Sequence, residues 1–224
     1  MRKVRRAALG LTLVVGAAFN THCTVRPKIE WENQEMAIAE GRILVDARFE
    51  GESISLDAVM SDLAQVPSYV VAVGNRRSRV VVFSGEVTDQ PEAAHLKGQY
   101  HLTAGLYDKV SGLYLRDERM AFIHLTHNGG SPSTPLHEYG HLIDHALDYP
   151  SEDADFVGLW EVSRRKTFLR MQIMREHAAR DSGEFFADCF SAYYLSQTSE
   201  WALKRDFEEA HKYMEKFDEE MSDR

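Results

Sequence analysis

Two histidines four residues apart, with a glutamate directly after the first, form the segment His137-Glu138-Tyr139-Gly140-His141. On a helix, positions i and i+4 share a face, so both imidazoles can bind one ion while Glu138 projects beside them. These are the parts of a zinc hydrolase centre. Zinc lowers the pKa of a bound water toward about 7, the neighbouring carboxylate takes its proton, and the ion polarises the carbonyl under attack. Random placement of the chain's histidines and glutamates would produce the pattern roughly 0.04 times in a chain of this size. Taken alone it is also compatible with a polar surface helix.

The residues around the motif favour the metal reading. Gly129-Gly130-Ser131-Pro132-Ser133-Thr134-Pro135 is a breaker-rich loop that runs into it, with Thr134 read as N-cap and Pro135 as the first helical residue. The spacing predicts a helix through Leu136 to about Leu147, with Leu136, Tyr139, Leu142, Ile143, Ala146 and Leu147 at apolar positions. Gly140 costs about 1 kcal/mol relative to alanine inside a helix, which implies that another backbone or a substrate passes close by.

Two histidines leave a zinc site incomplete, because a catalytic centre uses three protein ligands and keeps the fourth position open. The best candidate for the third is Glu184, in the aromatic-rich run Glu184-Phe185-Phe186-Ala187-Asp188-Cys189-Phe190. Glu184 and Asp188 are again i and i+4. One carboxylate would bind metal, and the other would accept the second N–H of an imidazole, a role open to Asp188 or Asp144. The competing reading is that Glu184 only complements a helix N-terminus. A carboxylate pair among phenylalanines is, however, costly to bury without a cation.

HEYGHLIDH followed by EFFADCFSAYY resembles the catalytic domain of anthrax lethal factor and the secreted Pro-Pro endopeptidases, which are gluzincins. The resemblance is strongest from Leu113 to about Phe217. It implies one zinc per chain on His137, His141 and Glu184, with Glu138 as general base and Asp188 behind a ligand. It also implies that the strand near Met120–Leu125 is the edge along which an extended peptide substrate aligns, a mode in which main-chain pairing provides affinity. A toxin-like protease is the corresponding functional class. One position departs from the family: the tyrosine seven residues before the glutamate ligand, which is held to stabilise the oxyanion, is His177 here. An imidazole N–H can donate to an oxyanion as a phenol does, with a different pH profile. Tyr193 is an alternative donor.

The remaining elements must position these groups. Arg2, Lys3, Arg5 and Arg6 precede an uncharged run, Ala7–Phe19, of thirteen residues. That is short of the roughly 20 needed to span a bilayer and reads as a cleaved export signal. The expected organisation is a signal peptide over 1–18, a short segment over 19–26, and one metallopeptidase domain in two lobes over 27–224. The expected location is extracellular. Lipid anchoring at Cys23 is the alternative and would be the route to a membrane, although Phe19-Asn20-Thr21-His22 lacks the residues of a lipobox. Removal of the signal takes the net charge from −9 to about −13, with 35 acids against 22 remaining bases. This excludes nucleic acid as a natural partner. Two cysteines, Cys23 and Cys189, make no disulfide framework, and Cys189 reads as a buried apolar residue.

The β-branched runs Tyr69–Val73 and Arg79–Phe83 predict two strands, and Leu113–Leu115 with Phe122–Leu125 predict two more around the turn Arg116–Arg119. Ser53–Met60 predicts a turn into a short helix. Helices are expected over Phe156–His177, Glu184–Leu195 and Glu200 to about Glu220, the last with Trp201, Leu203, Phe207, Ala210, Met214 and Phe217 as packing residues. The fold class is α+β: an amino-terminal mixed sheet with helices, then a mostly helical carboxy-terminal lobe, with the zinc site in the cleft between them. The functional expectation is an exported, monomeric zinc endopeptidase acting through a metal-activated water. Two other classes compete: an impaired zinc-binding interaction protein, and a di-iron carboxylate protein built on the Glu-x-x-His pairs Glu138/His141, Glu208/His211 and Glu92/His95.

Overall fold

The computed structural model describes residues 43, 45–48, 54–74, 78–101, 105–125, 132–167, 178–179 and 181–224. The expected export segment, Cys23 and His177 lie outside the described residues. In chain order the elements are β1 (Val45–Arg48), α1 (Ile54–Leu63), α2 (Ser68–Gly74), β2 (Arg79–Phe83), β3 (Tyr100–His101), β4 (Gly105–Leu106), β5 (Gly112–Leu115) and β6 (Met120–His124). They are followed by α3 (Thr134–Ala146), α4 (Ala154–Thr167), α5 (Ser182–Leu195), α6 (Gln197–Asp206) and α7 (Glu208–Ser222). The architecture is the expected α+β one, a small mixed sheet followed by a helical carboxy-terminal part.

The main sheet has the order β1-β2-β6-β5, with β1, β2 and β6 parallel and β5 antiparallel to β6. Its strands read as continuous apolar runs because both faces are covered. Val80, Val82, Ala121 and Ile123 face the helical core with Leu136, Ile143 and Phe190, whereas Val81, Phe83 and Phe122 pack beneath Val87, Ala93 and Val110. The loops carrying that second cluster include the short ribbon β3-β4.

Four expectations change. Tyr69–Val73 is the helix α2, not a strand: Val70, Val71 and Gly74 are its buried residues, a helical spacing, and burial against α3 overrides the strand preference of valine. β6 is not an edge. The turn at 116–119 folds β5 back along its outer side, with Arg119 in a left-handed conformation at φ 53°, so β5 takes the edge. The long terminal helix is two helices broken at Phe207, whose φ of −140° and ψ of 60° are not helical and whose buried ring packs on Phe185. Trp201 is 58% exposed and lies under the Arg205 guanidinium instead of in the core, while Leu203, Phe207, Ala210, Met214 and Phe217 are buried. Of the helix expected over Phe156–His177, α4 accounts for the part up to Thr167, and most of the rest falls outside the described residues.

Candidate active site

The motif lies on α3, which starts one residue earlier than expected. Ser133 is the N-cap, its Oγ accepting from Leu136 N at 3.3 Å, and Pro135 follows within the first turn. The cap is also a junction. Ser133 Oγ donates to Asp62 on α1 at 2.6 Å, Ser133 N donates to Ser191 Oγ on α5 at 3.0 Å, and Ser191 Oγ donates back to the Ser133 carbonyl at 3.0 Å. Gly140 then permits close contact between α3 and α5: a Cβ there would lie 3.0 Å from Ala187 Cα and 3.3 Å from Phe190 Cβ. The neighbouring backbone that a mid-helix glycine implied is therefore α5.

α5 begins at its own cap, where Asp181 accepts from Gly183 N at 2.7 Å and Glu184 N at 3.2 Å. Its first turn brings Glu184 Oε2 to 3.1 Å from His137 Nε2 and 3.7 Å from His141 Nε2, and the two Nε2 atoms are 3.2 Å apart. An ion held tetrahedrally at zinc-ligand distances separates its ligand atoms by roughly 3.3 Å. The triangle of two nitrogens and one oxygen fits. Among the described residues, these three side chains form the one group of His, Cys, Asp or Glu suited to share a metal.

One turn on, Asp188 meets His137 Nδ1 at 2.7 Å. A carboxylate there accepts the Nδ1 proton and leaves Nε2 as the lone-pair nitrogen facing the site. Burial disfavours a charged His137, but Asp188 and Glu184 outweigh it and raise its pKa well above the ordinary value. Burial would also raise Glu184, yet its bonds to His137 and His141 hold the carboxyl well below the usual range, as an anionic ligand requires. Glu138 is buried and pushed up to about 7 by burial, against the opposing charges of His137 and His141. Asp144, the other expected imidazole partner, is instead committed to Ser151, accepting from its N at 2.9 Å and its Oγ at 2.6 Å. It anchors the end of α3 to the turn Pro150–Glu152.

A cleft of about 230 Å³ opens beside His141 and Glu184 and is also lined by Tyr114, Arg116, Tyr149 and Glu152. Tyr114, on β5, stacks on His141 at 6.2 Å and 18°, and its hydroxyl is 2.7 Å from His145 Nδ1. His145 stacks in turn on Tyr149 at 5.0 Å, and Arg116 lies 4.1 Å over that ring. Tyr149 holds a left-handed φ of 63°, supported by its N–H to the Asp144 carbonyl at 2.8 Å. Sequence reasoning placed Tyr114 on a strand without a role. Alternation puts it on the same face as Gly112, but only packing shows that this face meets α3. Tyr193 sits elsewhere, against Tyr194 and His211.

The Glu-x-x-His pairs do not converge. Glu92 grips Arg48 at 2.7 and 3.0 Å, Glu208 pairs with Lys212 at 3.0 Å, and His211 lies between Glu200 and Glu215 at 3.1 and 3.3 Å. This removes the geometric basis of the di-iron reading.

The family described as anthrax toxin lethal factor, N- and C-terminal domain, matches residues 28–217. The chain belongs to this family. It is 28% identical over 156 residues to a Pro-Pro endopeptidase of Clostridioides difficile (strain 630), covering 66% of this chain and 69% of that protein. Its fold is similar to that of the Pro-Pro endopeptidase from Paenibacillus alvei, with a TM-score of 0.64 at 20% identity over 76% of this chain and 96% of the other. These likenesses agree with the resemblance read from the paired motifs.

Proposed function

We propose that this chain is an exported zinc-dependent endopeptidase, holding one zinc on His137, His141 and Glu184. The observation that carries the reading is the ligand triangle with Asp188 behind His137 and Glu138 next in sequence, in a chain similar to Pro-Pro endopeptidases. When bound, the metal acidifies a water and polarises the scissile carbonyl. Glu138 takes the proton from the attacking water and passes it to the leaving amine, a task suited to a carboxyl poised near neutrality. Asp188 holds His137 in the tautomer that presents Nε2. His177 is the proposed oxyanion donor, on the strength of its position seven residues before Glu184.

The substrate is a polypeptide bound as an extended strand along β5, since β5 is the edge strand of the sheet that lies over α3. Export rests on the basic and apolar amino terminus. Proline-flanked cleavage is the first specificity to examine, because the relatives are named for it.

The test is metal content together with cleavage of a diverse peptide library by the mature protein, beside Glu138→Ala. One zinc per chain, with cleavage lost and zinc kept in the variant, is expected. Unchanged cleavage by Glu138→Ala would overturn the mechanism, and zinc without cleavage by the wild type would leave an interaction protein. His177→Phe is expected to slow turnover at unchanged zinc content.

A further inference from the structure

We infer that Gly112 is a positioning residue for Glu138: the missing side chain on β5 is the space in which the general-base carboxylate sits. The inference rests on the peptidase reading for its kinetic consequence and on geometry for the rest. Because β5 alternates, Gly112 and Tyr114 face the same way, and both face α3. Tyr114 covers His141, and Gly112 covers Glu138. A Cβ at position 112 would fall 2.7 Å from both Cγ and Cδ of Glu138, well inside van der Waals contact, and would also overlap its Oε1. The backbone at Gly112 is ordinary strand paired with Ile123, and Gly112 is not among the glycines with positive φ. Backbone conformation therefore does not call for glycine here.

The clash has an unequal consequence for folding and for chemistry. The atoms that must move, Cγ, Cδ and Oε1, all belong to the side chain of Glu138 and none to backbone, so a rotation about its Cα–Cβ bond clears them while strand and helix stay in place. Catalysis has no such tolerance, because a displacement of about 1 Å at a reacting group can lower a rate on the order of 10²-fold. Substrate pairing is spared. Ser111 O accepts from His124 N at 2.8 Å, which makes Gly112↔Ile123 a non-hydrogen-bonded pair, so the N–H and C=O of Gly112 point away from β6 in either variant.

The experiment is a double-mutant cycle on the mature protein, using a peptide that the wild type cleaves and combining Gly112→Ala with Glu138→Ala, which removes the Cγ, Cδ and Oε1 atoms that a methyl at 112 would meet. Gly112→Ala is expected to keep its zinc and melting temperature and its KM, and to lose on the order of 10²-fold in kcat. On the residual rate, the double variant is expected to be no slower than Glu138→Ala alone, because the methyl then fills space already vacated. Losses that multiply, or a kcat unchanged by Gly112→Ala, would overturn the inference. Crystal structures of wild type and Gly112→Ala test it without turnover. A shifted Glu138 carboxylate is expected, and an unmoved one would refute the gap even if no peptide were ever cut.

Discussion

The first histidine of the motif depends on a partner outside it. His137 presents Nε2 because Asp188 occupies Nδ1 at 2.7 Å. Asp188→Asn keeps the shape but weakens acceptance of that proton, and zinc affinity is expected to fall about 10- to 100-fold in a competition titration. Glu184→Ala removes a proposed ligand atom and is expected to lower the affinity further, as is His141→Ala. The His137–Glu138–His141 set was legible from spacing, since helical pitch alone puts the rings together. Glu184 and Asp188 were legible as a pair, but Asp144 was indistinguishable from Asp188 as an imidazole partner. Each acid lies on one of the two helices that carry the candidate ligands, and only the fold turns one toward His137 and the other toward Ser151.

At the scale of elements, the site depends on how closely α3 and α5 approach. Gly140→Ala improves helix propensity by about 1 kcal/mol but drives a methyl against the Ala187 backbone, which cannot yield as a side chain can. A net destabilisation of about 1–3 kcal/mol is expected in denaturant unfolding, together with weaker zinc binding, because Glu184 moves away from the two histidines. Tyr139, on the same helix, has a buried hydroxyl without a hydrogen-bond partner among the described residues. Tyr139→Phe is expected to stabilise the protein by about 1 kcal/mol, seen as a higher midpoint at unchanged slope. The α2 segment illustrates why strand and helix were confused: a short valine run satisfies either pattern locally, and its buried positions Val70, Val71 and Gly74 are determined by what lies against them.

For the whole molecule, the proposed metal would couple to the fold, since its candidate ligands come from two helices. Zinc at 1,000 times its dissociation constant is expected to add about 4 kcal/mol of stability, lost on chelation and absent in Glu184→Ala, as thermal unfolding will show. Elsewhere, Arg48 ties β1 to Glu92, and that pairing holds the Glu92 carboxyl below its ordinary range. A depressed carboxylate stabilises the fold above its unfolded pKa, and the contribution disappears as pH falls through the folded one. Arg48→Ala is therefore expected to reduce stability at neutral pH and to flatten its decline under acid, measured by unfolding midpoints across that range. The sequence by itself determined the helix of the HEYGH motif, the helix that carries Glu184 and the α+β class, because these rest on local periodicity and on residue types with few alternative uses. Tertiary structure alone decided that β5 and not β6 lies at the sheet edge beside α3, that Tyr114 and Gly112 overlie the motif, and which acid supports His137. Those are contacts between segments distant along the chain, and no local pattern encodes which faces meet.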